Sequence, residues 1–253
     1  MITVTILTKN SGKTLLSTLQ SVKDFSEVVI LDTGSTDTTL EIAKQFPNTK
    51  IFLREFKGFG PSHNEVSSLA THDWILSLDS DEVLSKELAQ EILKLDLNPS
   101  WIYRINRENY FNGKHMRCCS GWYPDRIIRL YNRKSTSFSN AAVHEKIEQN
   151  NLCIKDLRYS MRHTPYLRIE DFLTKMQSYS TLFALQNKGK RKSSTFHAIF
   201  HGCHAFFKSY ILKRGFMGGK EGFIISAYNG HTAFYKYLKL AEANCPKKNL
   251  GQE

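Results

Sequence analysis

"WILSLDSDEVLS" occupies residues 74–85, and its reading decides the fold. Trp74 to Leu78 form an apolar run of strand length that ends on Asp79. Asp79, Ser80, Asp81 and Glu82 then put three acids into four residues, a repulsive cluster unless a cation offsets it. Two oxygen side chains at i and i+2 on a turn can point to one place. They suit a hard divalent cation such as Mg²⁺ or Mn²⁺, which keeps waters and binds substrate phosphates. The alternative is a group of exposed turn acids capping the helix SKELAQEILKL at 85–95. Glu82 is read as the start of the next turn, near the metal without ligating it.

Upstream, strands and helices alternate. ITVTIL (2–7), EVVILD (27–32) and KIFLRE (50–55) read as strands, with LLSTLQSV (15–22), TDTTLEIAKQF (36–46) and SHNEVSSLA (62–70) as helices between them. Ser35 is expected to cap the second helix, and Gly58 to Pro61 to form a turn. Such alternation implies right-handed crossovers and a mostly parallel sheet, whose ligand crevice lies at the carboxyl ends of the strands. Thr8-Lys9-Asn10, Asp32-Thr33-Gly34 and Asp79-Ser80-Asp81 would each face that crevice.

From 100 to 165 the aromatic-rich WIYRINRENYF and IIRLYNR predict a mixed or antiparallel extension of the sheet. From 169 the chain turns helical, with the basic NKGKRKSS (187–194) as a loop. The expected organisation is an α/β catalytic domain over 1–165 and a helical, basic region over 166–253.

The 253 residues are 41% hydrophobic and 23% charged, the composition of a folded chain. No leader typical of a signal peptide and no run of 18 apolar residues is seen, so neither secretion nor a spanning helix is expected. Five cysteines at 118, 119, 153, 203 and 245, without a Cys-x-x-Cys, predict reduced thiols in a cytoplasmic protein. Charge is uneven. Residues 1–150 hold 18 basic and 18 acidic residues, and 151–253 hold 17 and 6, so the net +11 sits in the last two-fifths. That excess calls for an anionic partner.

An apolar strand followed by Asp-x-Asp also opens haloacid-dehalogenase-like phosphatases. Here the motif lies at 79 rather than near the start, and Glu82-Val83-Leu84 lacks the usual Gly-Thr. A different family accounts for more of the chain. "TILTKN" (5–10), "ILDTGSTDTT" (30–39), "GFGPSHNEVSSLATHDWILSLDSDEVLS" (58–85), "GWYPDRIIRLYNR" (121–133) and "AAVHEKI" (141–147) resemble family 2 inverting glycosyltransferases of the GT-A fold. The nearest likeness is to lipopolysaccharide core β-1,4-glucosyltransferases, and it continues through "KRGFMGGKEGF" (213–223) and "YKYLKLAE" (235–242). Ser11-Gly12-Lys13 and the Asp-Thr at 32–33 depart from the acids common in relatives.

The resemblance implies a Rossmann-like GT-A domain that takes a UDP-sugar with Mg²⁺ or Mn²⁺. It implies that Thr8 and Asn10 line the nucleotide pocket, that Asp32 bonds the base, and that Asn64 joins the donor-binding set. Asp79 approaches ribose and metal, Asp81 binds the metal, and His163 in "MRHTPY" is an added ligand. Glu145 in "VHEK" resembles the general base. From the residues themselves Glu145 is a candidate by position only, with a surface acid paired to Lys146 as the other reading; Asp125 in "YPDR" is the rival, with an ion pair to the adjacent Arg126 as the other reading of that acid. Inverting transfer needs such a carboxylate to take the acceptor hydroxyl proton.

In STFHAIFHGCHAFFKSYIL (194–212) one helical stripe is apolar and aromatic, while His201, His204 and Lys208 lie on or beside the other face. This fits a helix in the boundary of an anionic membrane, and equally a helix packed on protein. His197, His201 and His204 read as a solvated stripe rather than a metal site. No nucleic-acid recognition motif is present. The expected protein is a cytoplasmic transferase on the inner face of the cytoplasmic membrane, moving a hexose, glucose first among candidates, to a lipid-linked lipopolysaccharide core or related envelope glycan. An inactive sugar-nucleotide binder and a basic membrane adaptor are the competing readings.

Overall fold

The computed structural model describes residues 1–140 and 145–245. They fall into two compact units, Met1–Glu108 with Asp125–Thr164, and Asn109–Pro124 with Pro165–Glu253. The second unit therefore takes in 109–124, a stretch inside the span expected for the catalytic domain.

The first unit is a mixed α/β sheet. Four strands, β1 (Ile2–Thr8), β2 (Glu27–Asp32), β3 (Thr49–Leu53) and β4 (Trp74–Asp79), run parallel. They are joined by α1 (Leu15–Ser21), α2 (Thr39–Ala43) and α3 (Phe59–Ser68). All of β2 is buried, as a strand covered on both faces must be, which is why it reads as an unbroken apolar run. Val4, Ile6, Val28 and Ile30 pack on one face with Leu15 and Leu19 of α1, while Val29 and Leu31 meet Val66 of α3 on the other. Each such side chain contributes about 1.5–3 kcal/mol on burial.

The extension is antiparallel where its register is defined. β5 (Glu82–Leu84) leads to α4 (Lys86–Leu93), capped by the Ser85 side chain. β6 (Trp101–Phe111), a short β7 (Lys114–His115), β8 (Arg126–Asn132) and β9 (Cys153–His163) follow. The strand order is β3-β2-β1-β4-β8-β6-β9-β5, with β7 on β6. β8 pairs antiparallel with both β4 and β6, and β5 with β9. Since β2 and β4 flank β1 on opposite sides, the order reverses between β1 and β4, the point where such sheets open a ligand crevice.

Three local expectations change. Helix α2 starts at Thr39, and Ser35 does not cap it, because its hydroxyl donates to the Asp32 carboxylate instead. The supposed turn at 58–61 is the beginning of α3, where Pro61 sits in the first turn and its missing N–H costs nothing. Glu82 is not a turn residue; it opens β5 and is fully buried.

The second unit packs α5 (Ile169–Asn187), α6 (Thr195–Phe207) and α7 (Gly219–Asn244). Phe111, Trp122, Tyr166, Phe172 and Ile225 form its core. A π-helical turn (Lys208–Leu212) and a 3-10 turn (Gly215–Gly218) link α6 to α7. Gly222 lies so near the Gly215 carbonyl that a Cβ there would stand 1.9 Å from the oxygen. All five cysteines are free thiols. Among the described residues, no helix is long and apolar enough to cross a membrane.

Candidate active site

Three strand ends stand level in the first unit. Thr8 lies opposite Asp32 across β1 and β2, and Leu7 opposite Asp79 across β1 and β4. The loops beyond them are tied together. Ser11 Oγ and Ser80 Oγ are 2.8 Å apart, and Thr18 Oγ1 donates to the Ser80 carbonyl at 3.0 Å. Asn10 adopts φ 51°, a left-handed conformation that Asn tolerates better than most residues. Its Oδ1 accepts from Thr36 N and its own N–H donates to Ser35 Oγ, both at 2.8 Å.

Asp32 organises this wall. Oδ1 accepts from Gly34 N (3.0 Å) and Ser35 N (2.8 Å), and Oδ2 from Thr8 Oγ1 (2.9 Å) and Ser35 Oγ (2.5 Å). Burial works against its charge, but these donors prevail and hold the carboxyl below its ordinary range. The four bonds hold the turn at 33–35 against the end of β1, and Thr8 serves the same turn.

The centre of the site is a buried charge network. Arg129 Nη2 donates to Asp79 Oδ2 and, at 2.6 Å, to Glu82 Oε1. Arg107 Nη1 donates to the same Glu82 oxygen at 2.9 Å, and its Nε to Asp125 Oδ2 at 2.8 Å. The second Glu82 oxygen accepts from Asp79 N at 3.0 Å. Arg129 is 4% exposed and Glu82 not at all, so neither can exchange its partner for water. Desolvation opposes ionisation of Asp79, yet Arg129, then His63 and Arg107, outweigh it and keep the carboxyl far below the usual range. His63, buried and stacked on Phe138 at 4.4 Å, is pushed by burial down to about 4 and is neutral at pH 7.

Sequence reasoning missed this network. Its partners lie 25 and 47 residues apart along the chain. The available signal was Arg129 itself, a charge inside the apolar run IIRLY, which requires a buried partner. Asp125, the rival base, is engaged by Arg107 rather than by its neighbour Arg126, which instead stands 3.9 Å from Asp156.

Asp81 and His163 are brought together by the sheet. Glu82 and His163 pair across β5 and β9, Thr164 N donates to the Asp81 carbonyl at 3.2 Å, and Asp81 Oδ2 stands 3.5 Å from His163 Nε2. Glu145 is half-buried. Burial raises its carboxyl above the ordinary range, and the negative charge of Asp79 pushes the same way, while Arg129 partly counters. The residues 141–144 of its motif lie outside the described residues. Asn64 is held against the backbone of Phe138. Its amide donates to the Phe138 carbonyl and accepts from the Phe138 N–H, both at 2.9 Å, so one of its two N–H groups and one oxygen lone pair are committed to the backbone. Phe138 in turn bridges to Ile147, so Asn64 braces the base of the segment bearing Glu145.

A divalent cation fits this donor set in part. Asp81 and His163 converge and offer one oxygen and one nitrogen, a pair better suited to Mn²⁺ than to Mg²⁺. Asp79 is turned to Arg129. Among the described residues no group of three or more His, Cys, Asp or Glu is assembled for a metal. A cation held by one or two protein groups completes its shell with water and substrate phosphates.

A protein of Rickettsia felis described as an uncharacterized glycosyltransferase is 29% identical over 97% of this chain and 91% of its own. The glycosyltransferase SunS of Bacillus subtilis is 38% identical over 97 residues, which cover 37% of this chain and 23% of SunS. Among solved structures, residues 1–349 of S. aureus TarS superpose with a TM-score of 0.46 at 17% identity, over 96% of this chain and 88% of that one. The sequence pattern of Glycosyl transferase family 2 matches residues 3–156, more than half of the chain. The protein is thus a member of glycosyl transferase family 2, built as a mixed α/β sheet with C-terminal helices.

Proposed function

We propose that this glycosyltransferase moves a hexose from a UDP-sugar to a hydroxyl of a lipid-linked envelope glycan, of the lipopolysaccharide core type, with inversion at the anomeric carbon. The observation that carries the reading is the half-buried position of Glu145, where burial first, and the negative charge of Asp79 in addition, push its carboxyl above the ordinary range. A half-buried carboxyl with a raised pKa, in the field of a strand-end acid beside the crevice, is what a general base requires.

In this reading Glu145 takes the proton of the acceptor hydroxyl. The hydroxyl oxygen forms its bond to the anomeric carbon from the face opposite the departing UDP, which leaves with the electrons of the broken bond. Asp81 and His163 would hold Mg²⁺ or Mn²⁺, with Asp79 beside them. When bound, the cation neutralises charge on a diphosphate leaving group. Arg129 and Arg107, fixed by Glu82, keep Asp79 ionised without the cation. The basic excess after residue 150 supports work at the anionic inner face of the cytoplasmic membrane, and the lipid-linked acceptor follows from it.

A thermal-shift panel of UDP-, ADP- and GDP-sugars with and without Mn²⁺ tests the donor. Product configuration by NMR tests the stereochemistry. Stabilisation by a UDP-sugar, with turnover and an inverted product, is expected. Retained configuration or indifference to every nucleotide-sugar overturns the reading, and binding without turnover on any acceptor points to the inactive binder.

A further inference from the structure

Helix α6 is built with its apolar face outward. Its buried positions are small, Ala198 and Gly202, followed by Ser209 in the π-helical turn. A Cβ on Gly202 would stand 3.0 Å from the Cβ of Phe234 in α7, so the helices meet too closely at Gly202 to admit a side chain there. Three of its four phenylalanines are left on the other side, while Phe206 lies against Gly230 of α7. Phe196 is 84% exposed and Phe200 67%, with Phe207 also exposed. At 3.6 residues per turn these three fall within roughly 40° of one another. Leu212, Phe216 and Met217 carry the exposed apolar surface onward through the following turns. Nine of the 24 exposed large apolar side chains among the described residues fall within 196–223. Scattered exposed apolars need no explanation, but such a concentration in one stretch of 28 residues does.

The charge beside that band is of one sign. Lys208, Lys213, Arg214 and Lys220 are exposed, and none forms an ion pair among the described residues. No acid occurs between Asp171 and Glu221. A second copy of the chain would bring the same cations against these, whereas an anionic lipid surface matches both features at once.

We propose that the face formed by Phe196, Phe200 and Phe207, continued by Leu212, Phe216 and Met217, docks into the headgroup boundary of an anionic bilayer. The rings enter the acyl boundary while Lys208, Lys213 and Arg214 lie on the headgroup phosphates. This gives a physical seat to the membrane-surface part of the proposed function. Its test needs no turnover, so either can fail alone.

The full chain is sedimented with vesicles of phosphatidylglycerol and phosphatidylcholine, and with vesicles of phosphatidylcholine alone. Strong binding to the first, weak binding to the second, and release by added salt are expected. F200S should weaken binding about tenfold. K208A/K213A should weaken it about 25-fold, since each cation near such a surface strengthens binding about fivefold. All of these positions are exposed, and far-UV circular dichroism should stay unchanged. F200W, whose emission should shift to the blue only with anionic vesicles, reads insertion directly. Equal binding to both vesicle types, variants that bind like the parent, or a dimer in light scattering that F200S dissociates without any vesicle uptake would overturn the proposal.

Discussion

Arg129 bridges Asp79 and Glu82 from a single guanidinium nitrogen. Glu82 also receives Arg107 and the Asp79 N–H, so one buried carboxylate fixes two arginines and the end of β4 together. Removing one partner of a buried pair leaves an uncompensated charge, which costs about 3–5 kcal/mol. R129M should lose that much in urea denaturation. R129M combined with E82M should recover part of it, because the orphaned charge is gone. Strict additivity of the two changes would show that the bridge does not act as a unit.

The raised pKa of Glu145 has a kinetic signature. A base works only when ionised, so activity rises with pH through its pKa, and that acid limb should lie above the usual Glu value of about 4.3. D79N removes a negative charge and releases Arg129, both of which favour ionised Glu145, so the limb of residual kcat/KM should move to lower pH. E145Q should reduce transfer by about 10²–10⁴-fold and keep the thermal shift given by UDP-sugar. Normal turnover in E145Q would move the assignment to Asp125.

The centre of the parallel half was readable because β1, β2 and β4 are buried on both faces, which makes β2 and β4 nearly unbroken apolar runs. Once β1, β2 and β4 are placed, the ladder itself sets Thr8 opposite Asp32 and Leu7 opposite Asp79, so the strand ends lie within one residue of each other. The departures share a cause. Ser35 and Glu82 are polar residues whose partners depend on tertiary placement, and a short motif does not say whether a side chain serves a ligand, a helix end or a neighbouring loop. The stripe on α6 was visible in its period, but its burial was not. Period groups residues onto a face, while Ala198 and Gly202 decide which face can approach α7 closely.

The Asp81–His163 pair makes a separable claim about the metal. Mn²⁺ titrated in the presence of UDP, read by the EPR signal of the free ion, should bind about tenfold or more weakly in D81A. H163A should weaken Mn²⁺ more than Mg²⁺, because an imidazole ligand suits the softer ion. Equal losses for both ions would place His163 outside the coordination sphere, and unchanged affinity in D81A would remove the metal assignment.

Asp32 ties its wall of the crevice to acid stability. Its folded pKa lies below its unfolded value, so its contribution is fully present above about pH 4 and is lost as pH falls through the folded pKa. Glu27, lowered to about 2 despite the opposing effect of burial through bonds from Lys50, Thr3 and Thr71, acts in the same window at the other end of β2. D32N puts an amide nitrogen where two donors need an acceptor and should cost about 1–3 kcal/mol at pH 7. Stability should also fall less steeply between pH 5 and 3 than in the parent, with the Glu27 part remaining. Urea midpoints across that range check both effects. An unchanged pH slope in D32N, together with its full loss in E27Q, would assign the acid sensitivity to Glu27 and leave the Asp32 turn uncoupled from protonation.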